Sequence, residues 1–391
     1  MQYTSTALAM PLEVGKLLLQ IQWLPRETGE TEMSQVVQEK EPEEEQFSES
    51  SDDESYFADP SGNTVPRNRT PRIVDDNGYV VRTSILDEGT RPEYIIPPGT
   101  ADTTWAMVKR IVAFQGEGWT SLWKGLLTSC IHDVLSSNLQ PVLDNFLQSL
   151  FLSATPDFSG PPLLLPVLSH VVTGFLLSPL DLVRTRLIAQ SAMQRHKTYT
   201  GPIHALSHII THEGGLKGIY LHPHLFIPTL LDNTLRPLLH IVLPVYIARN
   251  MGIGPHVAAD TYPVVWGIAE LLGNCASLLV TLPIETVRRR LQVQTRGTAK
   301  PLQTCVETRP VPYNGVVDAM WHIISEERSD LPLKTDRKKR TEEEAENDNW
   351  RRHTGIGQLY RGLGMRLSAS VIVFLLSTVN GDETDAGWAE L

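Results

Sequence analysis

Several stretches of the chain are apolar over many consecutive turns of helix: Leu126 to Leu152, Leu163 to Val183, Leu225 to Ile247, Tyr262 to Pro283 and Leu363 to Val379. The first of these is interrupted by Asp133, Asn138, Asp144 and Asn145. Shorter segments between them place apolar residues three and four apart, as in Trp105, Val108, Ile111 and Val112, the spacing of a one-faced amphipathic helix. Ile203 to Thr211 reads the same way. The pattern therefore predicts long apolar helices alternating with short surface helices. Few of the long stretches reach about 20 uninterrupted apolar residues, the usual length for crossing a bilayer. Soluble helical repeats are thus one reading and a membrane bundle the other. Prolines and polar residues are tolerated in a membrane helix where its neighbours satisfy them.

A repeated phrase favours the bundle. Pro179, Asp181, Arg184 and Arg186 recur as Pro283, Glu285, Arg288 and Arg290, and in shorter form as Pro11, Glu13 and Lys16. Each copy closes an apolar stretch, and proline there removes a backbone donor and predicts a kink. Tyr199, Gly201 and Ala205 return at the same offsets as Tyr313, Gly315 and Ala319. Trp123-Lys124-Gly125 returns as Tyr360-Arg361-Gly362. Three units in phase set the architecture before any single site does. The expected fold is all-α, with three tandem two-helix repeats and up to six membrane helices. Only ten residues precede Pro11, so the first helix is expected to be truncated, or the gene to start upstream of Met1.

Charge changes the picture in one place. Residues 27–59 hold thirteen acids against Lys40 alone, which accounts for the whole formal charge of −11. Residues 25–98 are rich in Glu, Ser, Asp and Pro and are read as a disordered acidic insertion, with too little apolar surface to offset ordering. The expected units are then 1–24, the start of repeat 1; 99–152, its remainder; 161–250, repeat 2; and 260–380, repeat 3, with a charged insertion at 326–352. Cys130, Cys275 and Cys305 stand apart in no metal-ligand spacing, so unreactive structural thiols are expected.

The phrase resembles the mitochondrial carrier family, whose repeat runs Pro-x-acid-x-x-base-x-base and later acid-Gly, four residues, aromatic-base-Gly. Unit 1 offers Glu117-Gly118 and then Trp123-Lys124-Gly125; unit 3 offers Tyr360-Arg361-Gly362. Unit 2 departs from the pattern, with Tyr220-Leu221-His222 in that place. The resemblance implies a ring of ion pairs, the acid of one repeat to the base of the next, from Glu13, Lys16, Asp181, Arg184, Glu285 and Arg288. It implies helix kinks at Pro11, Pro179 and Pro283. Such a ring either opens as a gate or only closes the bundle.

A working carrier also needs a second gate, because alternating access exchanges two closed states. The even helices do not spell one: Asp144 lacks a base three residues on, Arg249 lacks its acid, and Val371 to Val379 has neither. Carrier repeats with a lost gate and an acidic insertion resemble the modified carriers of the fungal mitochondrial outer membrane that act in fusion. That resemblance implies a non-transporting, multi-pass outer-membrane adaptor. Its partners would be a mitofusin-type outer-membrane GTPase and an inner-membrane dynamin-like GTPase, with self-association as a further option. The alternative is an inner-membrane solute carrier with a divergent outer gate, using Asp133, Asn233, Arg236 and Asn274 around a central cavity.

An enzyme is disfavoured. His204, His208 and His212 are spaced to share a helix face, and His196 lies nearby, but no Glu-x-x-His unit or Cys pair accompanies them. No cofactor, metal or catalytic residue is expected. Nucleic acid is disfavoured by the net charge, and the basic run Lys334 to Arg340 is followed at once by Glu342, Glu343 and Glu344.

Overall fold

The computed structural model describes residues 2–25, 91–99, 103–154, 164–250, 263–329 and 354–380. It is helical, with two isolated bridges and no strand among the described residues. Three long helices carry the proline phrase: α1 (Gln2–Ile21), α4 (Leu164–Ala189) and α8 (Pro263–Val293). Pro11, Pro179 and Pro283 each lie inside their helix. Each leaves one position of the backbone ladder without a donor. A short surface helix follows each: α2 (Thr104–Ala113), α5 (Pro202–His212) and α9 (Val316–Glu326). The return helices are α3 (Leu126–Ala154), α7 (Pro223–Asn250) and α11 (Leu363–Asn380). They are entered through a 3₁₀ turn (Trp119–Trp123), α6 (Gly215–Tyr220) and α10 (Ile356–Leu359).

The three repeats show as three cores. Met10, Val14, Leu17 and Leu18 of α1 pack with Met107, Val108 and Ile111 of α2. Leu182, Val183 and Leu187 of α4 pack with Ala205 and Ile209 of α5. Val287 and Leu291 of α8 pack with Ala319 and Ile323 of α9. In each case the segment just after the proline is buried by its own surface helix. The repeated tyrosines belong here too: Tyr199 and Tyr313 are both buried. Gln190 clamps Tyr199, accepting from its backbone N–H and donating to its carbonyl, both at 2.9 Å. Arg290 donates to the Tyr313 hydroxyl at 3.1 Å.

The outward faces of the long helices are apolar. Leu127, Ile131, Val134, Val142, Phe146 and Leu150 of α3 are exposed, as are Ile227, Leu230, Leu238 and Val242 of α7 and Val371, Ile372, Leu375 and Leu376 of α11. Contiguous exposed apolar surface of this kind marks a membrane or protein contact. Leu164–Ala189 and Val264–Val293 are long and apolar enough to cross a membrane. At about 1.5 Å per residue, α4 and α8 exceed the ~30 Å hydrocarbon core. The fold is an all-α bundle of three two-helix repeats, two of whose helices are long and apolar enough to span a membrane.

Two boundaries differ from the sequence reading. Most of the acidic insertion, residues 26–90, lies outside the described residues. Its expected end at 98 is too late. Glu93 already meets His196 (3.0 Å), Ile96 is buried, and the Ile96 N–H donates to the Cys305 carbonyl at 2.8 Å. The second, charged insertion was expected to begin at Glu326. Glu326 instead ends α9 and bonds Arg309 at 2.9 Å, while Glu327 is fully buried. Residues 330–353 lie outside the described residues. The segment thus interrupts the third unit between its acid, Glu327, and its glycine, Gly355. A Cβ on Gly355 would lie 1.7 Å from the Ile323 carbonyl oxygen, so glycine is required where the chain re-enters.

Candidate functional site: a charged bundle end beneath a polar cavity

The residues after the three prolines meet at one end of the bundle. Arg184 contacts Glu13, Arg288 contacts Asp181 at 2.7 Å, and Lys16 contacts Glu285 at 3.4 Å. Each of these pairs joins the acid of one repeat to the base of another. The structure adds members that the repeat did not announce. Asp232 of α7 accepts from Arg288 (2.7 Å) and Arg236 (2.9 Å). Glu285 also holds Arg236 (3.3 Å), Arg289 (2.9 Å) and Arg366 of α11 (3.1 Å). Gln292 donates to Asp181 at 2.8 Å and accepts from Thr185 at 2.8 Å. Asp181, Arg288, Asp232, Arg236 and Glu285 therefore form one continuous network. The Glu13–Arg184 pair is the isolated member.

A second tier of pairs ties each surface loop to its helix. Arg186 makes a two-toothed contact with Glu213, and Arg290 makes one with Glu327, each with one bond at 2.9 Å. All four side chains are almost fully buried. Repeat 1 has Leu18 where the other two have Arg186 and Arg290. There Glu117 turns instead to Lys124 and to the Ala192 N–H (2.8 Å). In repeat 2, Tyr220 donates to the Leu176 carbonyl (3.3 Å), as Tyr360 does to Leu279 (3.1 Å). One extra residue between Gly214 and Tyr220 shifts the phrase without removing the aromatic contact.

Beneath these pairs a segment of the α8–α9 loop crosses the bundle end. Cys305 donates its N–H to the Ala189 carbonyl (2.9 Å), and Ser191 N–H donates to Gln303 (3.0 Å). Trp23 N–H donates to Glu307 (2.9 Å), and Ile96 N–H to Cys305 (2.8 Å). Residues 303–307 thus bond by main chain to the exits of α1 and α4 and are covalently joined to α8. Cys305 and Val306 have no solvent exposure and belong to the same core as Met10, Leu18, Ile188 and Val293. Burial pushes the Cys305 thiol up to about 12. A free thiol near 8.5 forms thiolate readily at pH 8, whereas one near 12 does not. Cys305 is expected to resist iodoacetamide at pH 8 in the folded protein and to react fully after denaturation. Mass spectrometry of peptides covering residue 305 checks this.

Above the ring lies a cavity of about 420 Å³. Its charged lining comprises Glu13, Asp181, Asp232 and Glu285 against Lys16, Arg184, Arg236, Arg288, Arg289 and Arg366. With histidines neutral, that is a surplus of two positive charges. His132, His170, His240 and Gln140 also line it, and Gln140 meets His170 at 2.6 Å. Of the proposed cavity residues, Arg236, Asn233 and Asn274 line it. Asn233 reaches it by packing on Gly174, where a Cβ would lie 2.1 Å from the Asn233 amide nitrogen. Asp133 does not line it and accepts from Thr6 at 3.0 Å.

At the opposite ends of the even helices, Asp144 accepts from Gln148 within α3 (2.9 Å), and Arg249 is exposed. No ion pair among the described residues joins α3, α7 and α11 there. The histidine face of α5 stacks His208 on His212 (4.2 Å) with His204 6.3 Å from His208. Among the described residues no three His, Cys, Asp or Glu side chains form a metal-holding group.

The model of the mitochondrial carrier protein family matches residues 160–221, which hold α4, its proline phrase, α5 and α6. Mitochondrial thiamine pyrophosphate carrier 1 of Phaeosphaeria nodorum is 26% identical over 237 residues, 56% of this chain and 65% of that protein. Mitochondrial fusion and transport protein UGO1 of Saccharomyces cerevisiae is 22% identical over 242 residues, 56% of this chain and 47% of that protein. The thiamine pyrophosphate carrier of Meyerozyma guilliermondii is 28% identical over 192 residues, 48% of this chain and 62% of that protein. The match spans less than two thirds of the length of each of these relatives.

Proposed function

We propose, for a chain whose residues 160–221 match the mitochondrial carrier protein family, a role as a non-transporting adaptor in mitochondrial fusion. The observation that carries this reading is the segment 303–307. A transport gate has to open in every cycle. Here the ends of α1 and α4 are held by the loop that leaves α8, through three main-chain bonds and the buried side chains of Cys305 and Val306, and a fourth bond ties Ile96 to the same segment. Asp232 and Arg366 of the even helices bind into the ring as well, so opening would also break pairs outside the odd helices. A relative named for fusion as well as transport supports the same reading. Neither this role nor its alternative is enzymatic.

The adaptor sits in the mitochondrial outer membrane. Its partners are a mitofusin-type GTPase in that membrane and a dynamin-like GTPase of the inner membrane, and residues 27–90 and 330–353 supply the contacts. Deletion of 27–90 stops short of the packed residues from Glu93 onward, so the bundle should survive it. The deleted protein is expected to reach mitochondria, to lose co-purification of the outer-membrane GTPase and to leave mitochondria fragmented. Tubular mitochondria after complete depletion of the protein would sink the fusion role.

A second reading rests on the cavity. Its surplus of positive charge suits an anionic solute, and two relatives are named as thiamine pyrophosphate carriers. Under that reading the chain is an inner-membrane exchanger. Saturable uptake of a labelled pyrophosphate ester by proteoliposomes of the unaltered protein would decide for it and against the adaptor.

A further inference from the structure

Helices α5 and α9 carry the same three-rung ladder of side chains, and only the one on α9 is filled. At the offsets that put Tyr199 on Tyr313 and Ala205 on Ala319, His204, His208 and His212 fall on Asp318, His322 and Glu326. In α9 both ring nitrogens of His322 are taken, one by Asp318 at 3.2 Å and the other by Glu326 at 2.6 Å. In α5 the flanking carboxylates are replaced by imidazoles, and the helix has no acid of its own. The His208 and His212 rings stack instead, 4.2 Å apart and 18° from parallel.

The surroundings of the two rings decide which nitrogens are left. Both atoms beside His212 Nδ1 are acceptors: the His208 carbonyl at 3.0 Å and the Thr211 hydroxyl oxygen at 2.8 Å. The Thr211 hydroxyl sends its own hydrogen to the Ser207 carbonyl at 3.0 Å. His212 Nδ1 therefore carries the proton, and Nε2 keeps its lone pair for a ligand. His208 Nδ1 is buried without a hydrogen-bond partner, which leaves Nε2 there too. Burial, then the imidazoles of His212 and His204, hold the His208 ring below its ordinary value, so it is neutral at pH 7. The backbone is fixed as well. Thr298 N–H donates to the His212 carbonyl at 3.3 Å, and Glu213 is held by Arg186.

We infer that His208 and His212 form an open two-imidazole site for a divalent transition-metal ion of the zinc or copper(II) type, with water in the remaining positions. Imidazole is a ligand that such ions favour. Two nitrogens held about 2.0–2.1 Å from one tetrahedral ion lie about 3.4 Å apart. Rings stacked at 4.2 Å reach that separation with a small rotation of the exposed His212. His204 is 6.3 Å from His208 and tilted by 45°, outside the pair. A second histidine contact, His222 with His224, is edge to face at 4.7 Å, and His222 Nδ1 already accepts from the His224 N–H. The lack of a Glu-x-x-His unit or a cysteine pair excludes a closed four-ligand site, not an open one. The site is independent of whether the bundle transports a solute or serves as an adaptor.

The full chain, free of any polyhistidine tag and stripped with EDTA, is titrated in detergent with zinc chloride alone and with copper(II) chloride alone. One zinc ion per chain is expected to bind saturably by calorimetry. Copper(II) is expected to show the nitrogen couplings of two imidazoles by electron paramagnetic resonance. H208A and H212A should each weaken zinc binding by about tenfold or more, since losing a ligand costs no less than losing its outer-shell partner. H204A and H222A/H224A should bind as the unaltered protein does. Because His208 is half-buried and H208A can unfold, H212A is the deciding variant, with its thermal midpoint in EDTA as the check on folding. No saturable zinc uptake by the unaltered protein would overturn the inference. Unchanged affinity in H212A, or loss of binding in H222A/H224A, would do so as well.

Discussion

Glu285→Ala is expected to be the most damaging single change in the bundle, and not to be repaired by reversing a pair. Glu285 accepts from Lys16, Arg236, Arg289 and Arg366, and its own side chain is 6% exposed. Arg236 would keep Asp232, but the other three bases would lose the carboxylate described beside them. Removing one partner of a buried pair costs about 3–5 kcal/mol, because the remaining charge stays desolvated. The Glu13–Arg184 pair, with side chains 22% and 15% exposed, stands outside the network. With one partner each and more solvent around them, Glu13 and Arg184 are expected to cost less when broken than the hub does. Charge reversal separates the two cases. E13R/R184E should recover nearly all the thermal stability lost by either single variant. K16E/E285K should recover little, since the new lysine would face Arg236, Arg289 and Arg366. Thermal midpoints in detergent measure this, and equal recovery at both pairs would refute a hub at Glu285.

The second large effect is expected from the crossing segment. Exchanging residues 302–306 for alternating glycine and serine removes the buried side chains of Cys305 and Val306. Their loss costs about 3–4 kcal/mol at the bundle end. An opening penalty lowered by that amount raises the open population about a hundredfold or more. Hydrogen exchange should report it first, as lost protection at Ile96, whose N–H donates into this segment, and at Trp23, whose N–H donates to the adjoining Glu307. Local opening of this kind is what amide exchange detects. Because no described ion pair closes the other end of the cavity, vesicles holding the exchanged protein should also leak small anions, while the unaltered protein stays tight. Unchanged exchange at Trp23 and Ile96 would show that the segment does not hold the end shut.

The repeat was legible because its parts are local. Pro-x-acid-x-x-base places charge one helical turn beyond the proline, and three copies in phase imply three related helices. Asp232, Arg289 and Arg366 carried no such mark. Asp232 and Arg366 lie on return helices where no repeated phrase points to them, and Arg289 reads as one of three consecutive arginines. Glu327 was hidden for a different reason. Its glycine follows only after residues 328–354, so the acid-Gly phrase is split in the sequence although Arg290 still finds the acid. Residues 303–307 have no motif at all, because their bonds are made by backbone atoms that every residue shares.

The amino-acid sequence by itself determined the helical repeat, the three prolines, the acids and bases that follow them and the acidic segment that swings the net charge. All of these depend on residues near one another in the chain. Only the tertiary structure decided that the charged end is a continuous network with a loop segment packed beneath it and a positive cavity above. The partners there are as far apart as Lys16 and Glu285. Charge and shape are matched across such separations only after the helices have packed, when desolvation makes each unpaired ion expensive and so selects which acid each base will meet.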